Sequence, residues 1–316
     1  MHDARLSNYI RHMRRGDFEL AWQISDSVLR ERLCISSNYR PRKTKSLWTG
    51  TPLAGKQVSI RCYHGLGDTI QFIRYAPLLQ ANTAELTVWA QSTLIRLLQA
   101  VRGIDRILPL HKRTSDGEHD VEVEVMELPY IFRTTLETIP AAVPYIEVDP
   151  APSVEETLMV GIAWRGGYWD HRRDIPFSLI RKLAEIRGVT FYVLQKYPGN
   201  NECHDRFKRV IDSRSDALTT ARIMRGLDLV ISIDSMPAHL AGALGLPTWT
   251  LLSTEADWRW MEDREDSPWY PTMRLFRQSR PGEWEPVLER VAVELARLTN
   301  QRTKNTSRPA TDIGGP

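Results

Sequence analysis

Ser232-Ile-Asp-Ser-Met-Pro-Ala-His-Leu-Ala-Gly-Ala-Leu-Gly-Leu-Pro247 decides the fold. The apolar, β-branched run 227–233 reads as a buried strand. Asp234 or Ser235 can cap a helix, and Pro237 is tolerated in its first turn, where no helical partner for an N–H is needed. The helix covers 237–244, Gly245 stands where a C-terminal cap belongs, and 248–252 is the next strand. Ala238, Ala241, Gly242 and Ala243 let the helix approach the sheet closely. The free N–H groups of its first turn and the helix dipole make an anion site. His239 lies on that turn, facing either the cleft or the core. A capped helix whose histidine is hydrogen-bonded structurally accounts for the same residues.

The alternation continues in both directions. Residues 158–163 form a strand, followed by a polar loop to Ile175, a helix at 178–187, a strand at 190–194 and a helix at 217–225. A last amphipathic helix spans 283–298. Towards the N-terminus, a strand at 58–63 runs into the glycine-rich turn 64–68 and a helix at 69–79. A strand at 85–90, a helix at 92–101 and short strands at 104–110 and 121–125 follow. A Pro-rich stretch, 128–150, separates the two series, and two helices within 4–33 precede both. The organisation is a helical hairpin over 1–46, α/β domains over 47–150 and 151–280, a helix over 281–300 and a disordered tail over 301–316. The polar, basic stretch 35–52 connects the hairpin to the first domain. In open α/β sheets ligands bind at the carboxyl ends of the strands, so the loops there carry the chemistry.

The chain has 316 residues, which at roughly 150 per domain fits two domains. Hydrophobic residues make up 42%, enough for a packed core. A net charge of +3 is too balanced to point to a nucleic-acid or membrane-surface protein by itself. No apolar run is long enough to cross a membrane, and residues 1–16 hold no apolar signal-peptide core. The three cysteines lie far apart with no CxxC pair. A cytoplasmic α/β protein is expected. The ten tryptophans, many beside Arg, Gly and Pro, are its compositional oddity.

Three further segments can carry chemistry. His64-Gly-Leu-Gly-Asp-Thr69 gives a tight turn at a strand's carboxyl end, but Ile70 stands where a dinucleotide fingerprint needs its third glycine. Asp68 at the following helix start is either an N-cap or a general base. The roles compete, because a helix N-terminus stabilises a carboxylate and lowers its basicity. The loop 164–174 offers Arg165, Arg172 and Arg173 for phosphates and Tyr168 and Trp169 for rings. The loop 257–271 holds Trp258, Trp260, Trp269 and Tyr270, which either order the loop or wall a base or sugar site. Its acidic residues Glu262, Asp263, Glu265 and Asp266 have no metal-ligand spacing, so no metal is expected.

Four stretches in order resemble a known family: Gly65-Leu-Gly-Asp-Thr-Ile-Gln-Phe-Ile-Arg-Tyr-Ala-Pro-Leu-Leu79, Thr135-Leu-Glu-Thr-Ile-Pro-Ala141, 232–247 and 257–278. Together they resemble glycosyltransferase family 9, the ADP-heptose:lipopolysaccharide heptosyltransferase-like proteins. The nearest branch is the one in which that domain follows tetratricopeptide repeats. The segment Gly16-Asp-Phe-Glu-Leu-Ala-Trp22 resembles the end of a repeat helix pair from that branch. The resemblance implies a GT-B fold, two Rossmann-like domains facing across a cleft, with the nucleotide-sugar mostly on the second and the 283–298 helix crossing back to the first. It implies an inverting, metal-independent transfer from a nucleoside-diphosphate sugar to a hydroxyl of a glycan, lipid-linked or protein acceptor, with no cofactor. Asp68 then maps onto the catalytic base, in the turn shaped by Gly65 and Gly67. Asp234, Ser235, Met236, Ala238 and His239 map onto the diphosphate site, although Ser235-Met-Pro stands where heptosyltransferases usually show Thr-Gly-Leu. Arg173 or Arg172, with Arg165, would meet phosphates. Gln195 and Lys196 would reach the ribose or base, and Trp258 would belong to the donor-site wall. A non-catalytic nucleotide-sugar-binding or assembly protein is the alternative. An NAD enzyme is disfavoured by the missing glycine and by the lack of a suitable acidic residue after 85–90.

Overall fold

The computed structural model describes residues 2–34, 48–110, 119–151, 157–167, 170–196 and 205–306. Most of the expected connector 35–52, the core of the polar loop after 110, residues 152–156 of the linker, Tyr168, Trp169 and the tail from 307 lie outside the described residues.

The hairpin is α1 (His2–Arg15) and α2 (Phe18–Cys34), broken at Gly16, whose φ of 81° is left-handed. The first α/β half follows in chain order as β1 (Gln57–Arg61), α3 (Leu66–Phe72), α4 (Ala76–Gln80), β2 (Glu85–Ala90), α5 (Ile95–Leu98), β3 (Arg106–Pro109), β4 (Val121–Glu124) and α6 (Leu128–Ile131). The second half is β5 (Leu158–Ala163), α7 (Phe177–Ile180), β6 (Val189–Val193), β7 (Phe207–Arg209), α8 (Ala217–Met224), β8 (Leu229–Ile233), α9 (Met236–Ala243), β9 (Thr248–Leu252), β10 (Met273–Arg277) and α10 (Glu285–Thr306).

Both sheets are wholly parallel, in the orders β3-β2-β1-β4 and β10-β9-β8-β5-β6-β7. Central strands such as β5, β8 and β9 are buried along their whole length, as parallel strands covered on both faces must be. Two strands escape the sequence reading, β7 and β10. β7 has three residues and buries only Phe207, and the apolar pattern of β10 is broken by Arg274.

The 283–298 helix does not cross back to the first half. Its apolar residues Trp284, Val287, Leu288, Val291 and Leu295 belong to the core on the outer face of the second sheet, with Ile162, Phe191 and Trp249. The Arg302–Asp228 pair at 2.6 Å and Lys182 Nζ at 2.5 Å from Glu285 hold it to the second half at both ends. The helix also runs to Thr306, so residues 301–306 are helical rather than tail.

The hairpin, instead, reaches both halves. On the first half, Trp22 Nε1 donates to the carbonyl of Thr134 at 2.7 Å, and Asp26 accepts from Tyr130 and Arg133. On the second, Arg14 Nη2 donates to the carbonyl of Ala256 at 3.0 Å, and Glu262 N–H to the carbonyl of Arg14 at 3.1 Å. The apolar cluster beneath runs unbroken from Met13 and Phe18 through Phe72 and Tyr75 to Trp260 and Trp269. The halves therefore share a core on one side and part only on the other.

Candidate functional site

The site forms where α3 and α9, the helices that follow the central strands of the two sheets, pack against each other. At the start of α3, Gly65 N–H donates to Asp68 Oδ2 at 2.9 Å, which makes Asp68 the third residue of a capping box. Asp68 Oδ1 accepts from Arg259 Nη2 at 2.7 Å. Both oxygens are engaged, though each keeps a second lone pair. Gly67 lies against His239, and no larger residue fits there without displacement.

Arg259 sits on a short 3-10 turn, Trp258–Trp260, and is buried. Asp257 caps the turn by accepting from Arg259 N–H at 3.1 Å, and its carboxylate lies 3.4 Å from Arg259 Nε. The guanidinium also lies over the rings of Phe72 and Trp258. Burial alone would lower its pKa, but Asp257, Asp68 and Asp234 outweigh burial and raise it.

Asp234 and His239 turn inward. Asp234 is 4% exposed, and its carboxylate lies 3.7 Å from both His239 Nε2 and Arg173 Nη1. Burial pushes this carboxyl up, yet His239, Arg259 and Arg173 bring it down to about 2. His239 Nδ1 is 2.9 Å from the hydroxyl of Tyr270, and its ring stacks on Trp260. Burial is the largest influence on His239 and lowers its pKa, leaving a neutral ring. Tyr270 is pushed well above its ordinary range, first by burial, so it carries its proton.

A cavity of about 780 Å³ opens at the carboxyl ends of the second sheet's strands. Arg165, Gln195, Lys196, Ser235 and Met236 line it, together with Leu66 from the glycine turn. Gln195 holds the loop in place: its Oε1 accepts from Trp164 N–H at 2.8 Å and Arg165 N–H at 3.1 Å. Its buried Nε2 has no hydrogen-bond partner among the described residues. Ser235 does not cap α9 with its hydroxyl, which bonds back towards the carbonyl of Ile233 and to Ser232.

Other expected residues lie elsewhere. Asp234, His239, Ala238 and Trp258 are not among the cavity-lining residues. Ala238 N–H, expected as a phosphate donor, is spent on the carbonyl of Ser235 at 3.0 Å. His239 faces the packing between the halves because Tyr270 and Trp260 hold it there. Trp258 stacks on Phe72 at 6.1 Å and meets Trp269 edge-on, so it joins the halves rather than walling the cavity. Trp164, Trp260 and Trp269 are fully buried. Trp249 and Trp284 are buried too, so the described tryptophans of the second half other than the half-buried Trp258 are core residues. Arg173 donates to the carbonyl of Asp234 at 2.6 Å and braces the start of α9 from behind the cavity. Arg172 pairs with Asp170 and Glu255. The sequence reading missed Arg259, whose only local signal is a cation between two tryptophans. It also missed His171 and Asp174, which line the cavity as a pair 2.9 Å apart. No group of three His, Cys, Asp or Glu placed to hold a metal occurs among the described residues.

Two solved structures match over nearly their whole length. One is a family 9 glycosyltransferase from Veillonella parvula, with TM-score 0.55 and 12% identity, covering 81% of this chain and 99% of that one. The other is the ADP-heptose lps heptosyltransferase II of E. coli, with TM-score 0.53 and 13% identity, covering 78% of this chain and 99% of that one. This chain has the fold of the family 9 glycosyltransferases. The GT-B architecture places the α3–α9 contact and the cavity beside it between the two Rossmann-like halves. No protein-family model matches the chain. Among curated proteins, FlbA of Caulobacter vibrioides is 27% identical over 296 residues, covering 78% of this chain and 48% of FlbA. The chain thus spans about half the length of the curated relative it matches. No described helix is long and apolar enough to cross a membrane.

Proposed function

We propose that the chain is an inverting, metal-independent glycosyltransferase that moves a heptose or hexose from a nucleoside-diphosphate sugar to an acceptor hydroxyl. The observation that carries this reading is the cavity at the start of α9, where Arg165, Lys196, Ser235 and Met236 converge beside the glycine turn that holds Asp68. Such a place suits a nucleoside diphosphate: cationic side chains and a helix N-terminus meet phosphate, and Gln195 Nε2 has a hydrogen bond to give. The acceptor oxygen attacks the anomeric carbon as the bond to the diphosphate breaks. Its proton passes to Asp68, and the electron pair leaves with the diphosphate, stabilised by the helix start and Arg165. The E. coli protein of similar fold is an ADP-heptose lps heptosyltransferase, so ADP-heptose is the first donor to try. A glycan, lipid-linked or protein acceptor fits equally, and the reading carries no cofactor and keeps the cytoplasmic location.

The experiment is calorimetry with ADP, UDP, GDP and NAD, followed by incubation with ADP-heptose and UDP- and GDP-hexoses and assay for released nucleotide. A diphosphate nucleotide should bind and NAD should not. Asp68→Asn should abolish turnover while binding persists; turnover near wild type removes Asp68 from the base role. A second reading, a non-catalytic nucleotide-sugar-binding or assembly protein, is favoured by the two bonds that already occupy the Asp68 carboxylate. Nucleotide binding without turnover of any donor would select it.

A further inference from the structure

We propose that Arg259 is the positioning residue for Asp68, an arginine of the second half that aims the base of the first. This rests on the reading of Asp68 as proton acceptor. The two residues are 191 positions apart in the chain and meet only because the halves close on each other.

The geometry has three parts. First, Arg259 is fixed. Its backbone N–H and its side chain both engage Asp257, and its guanidinium is shut in by Phe72 and Trp258. A buried arginine held on several sides keeps a defined fork, so the Nη2 that meets Asp68 is placed rather than roaming. Second, Asp68 is tied at its other oxygen to Gly65 N–H. Two donors at the two oxygens fix the plane of the carboxylate, and the side chain, 20% exposed, keeps one face open for an acceptor. Third, the charges around the pair are unbalanced towards acid. Asp257 and Asp234 also act on Arg259. His239, neutral, comes from α9, and the His64–Glu124 pair at 2.6 Å and Glu127 flank α3 on the side of the first sheet. Arg259 is the cation in contact with Asp68. Without it, Asp68 Oδ1 loses the donor that sets the plane of the carboxylate.

The packing of α3 on α9 brings the second donor to the Asp68 carboxylate.

The test uses the full chain labelled with ¹³C at aspartate carboxyl carbons. The Asp68 resonance is assigned by its disappearance in Asp68→Asn. In Arg259→Gln, that resonance should leave its wild-type position, and kcat for transfer or donor hydrolysis should fall about tenfold or more with KM little changed. An unmoved resonance or a wild-type kcat in a folded Arg259→Gln overturns the proposal. Arg259→Lys keeps the charge and serves where the Gln variant does not fold. It should also lower kcat about tenfold with KM little changed, because a lysine lacks the planar fork. A Lys variant with wild-type kcat overturns it equally. If the wild-type protein turns over no donor, the catalytic reading fails while the Asp68 resonance in Arg259→Gln still decides whether Arg259 positions Asp68.

Discussion

A Cβ on Gly67 would stand 2.6 Å from Cδ2 of His239. The two residues belong to different halves, and the missing methyl is what lets α3 and α9 touch. His239 cannot give way easily, since Tyr270 and Trp260 hold its ring. Gly67→Ala should cost roughly 1–3 kcal/mol by overpacking, and it should loosen the halves, which limited proteolysis would detect. Wild-type thermal stability and protease resistance would show that the contact yields more readily than this geometry allows.

Arg74 is buried without a carboxylate partner among the described residues. It donates to the carbonyls of Gln71 and Trp269 and to the hydroxyl of Tyr145, and its guanidinium lies 4.5 Å from the centre of the Tyr270 ring. Arg74→Met keeps much of the volume and strands these acceptors, so a loss of about 2–4 kcal/mol is expected. The urea midpoint measures it. A change below about 1 kcal/mol would mean that water reaches the acceptors once the guanidinium is gone.

The Asp234–His239 pair should make stability fall with acid in two stages. Neutral His239 has a lowered pKa, so its contribution is present above the unfolded value of roughly 6.5 and fades below it. Asp234 is held at about 2, against roughly 3.9 in an unfolded chain. Its contribution is lost as pH falls from about 4 towards 2. Unfolding free energies at roughly pH 7, 5 and 3 should show both stages. His239→Gln should flatten the first and Asp234→Asn the second. Unchanged slopes in both variants would contradict the assignment.

Gln195 carries the cavity wall through two backbone N–H groups. Gln195→Ala should release the start of the 164–174 loop and weaken nucleotide binding by about tenfold, with a smaller loss of stability. Calorimetry against the best-binding nucleoside diphosphate decides it. Unchanged affinity would place the nucleotide elsewhere.

Much of the fold was legible because parallel strands are buried on both faces. β5, β8 and β9 read as apolar runs, and caps and glycines marked the helix ends between them. The direction taken by α10 was not legible: its amphipathic face says that one side is covered, not by which sheet. His239 was readable as a first-turn residue, but its facing was decided by the Tyr270 hydroxyl, 31 positions on. Arg259 was hidden for the same reason. What identifies it is Asp68, and no local pattern joins residues so far apart. The tryptophans were conspicuous in the sequence but open to two readings: packing between the halves took Trp258, Trp260 and Trp269, and the core beneath α10 took Trp164, Trp249 and Trp284.

The hairpin's grip on both halves has a price in the order of events during synthesis. Ala256, which receives the Arg14 guanidinium, follows it by 242 residues. At about 5–20 residues per second a ribosome needs roughly 10–50 s to deliver it. For that interval Met13 and Phe18, both buried in the finished protein, await the partners that the second half brings. Until then the hairpin is open to aggregation and to chaperones, and the segment that braces the two halves is completed only once both have emerged.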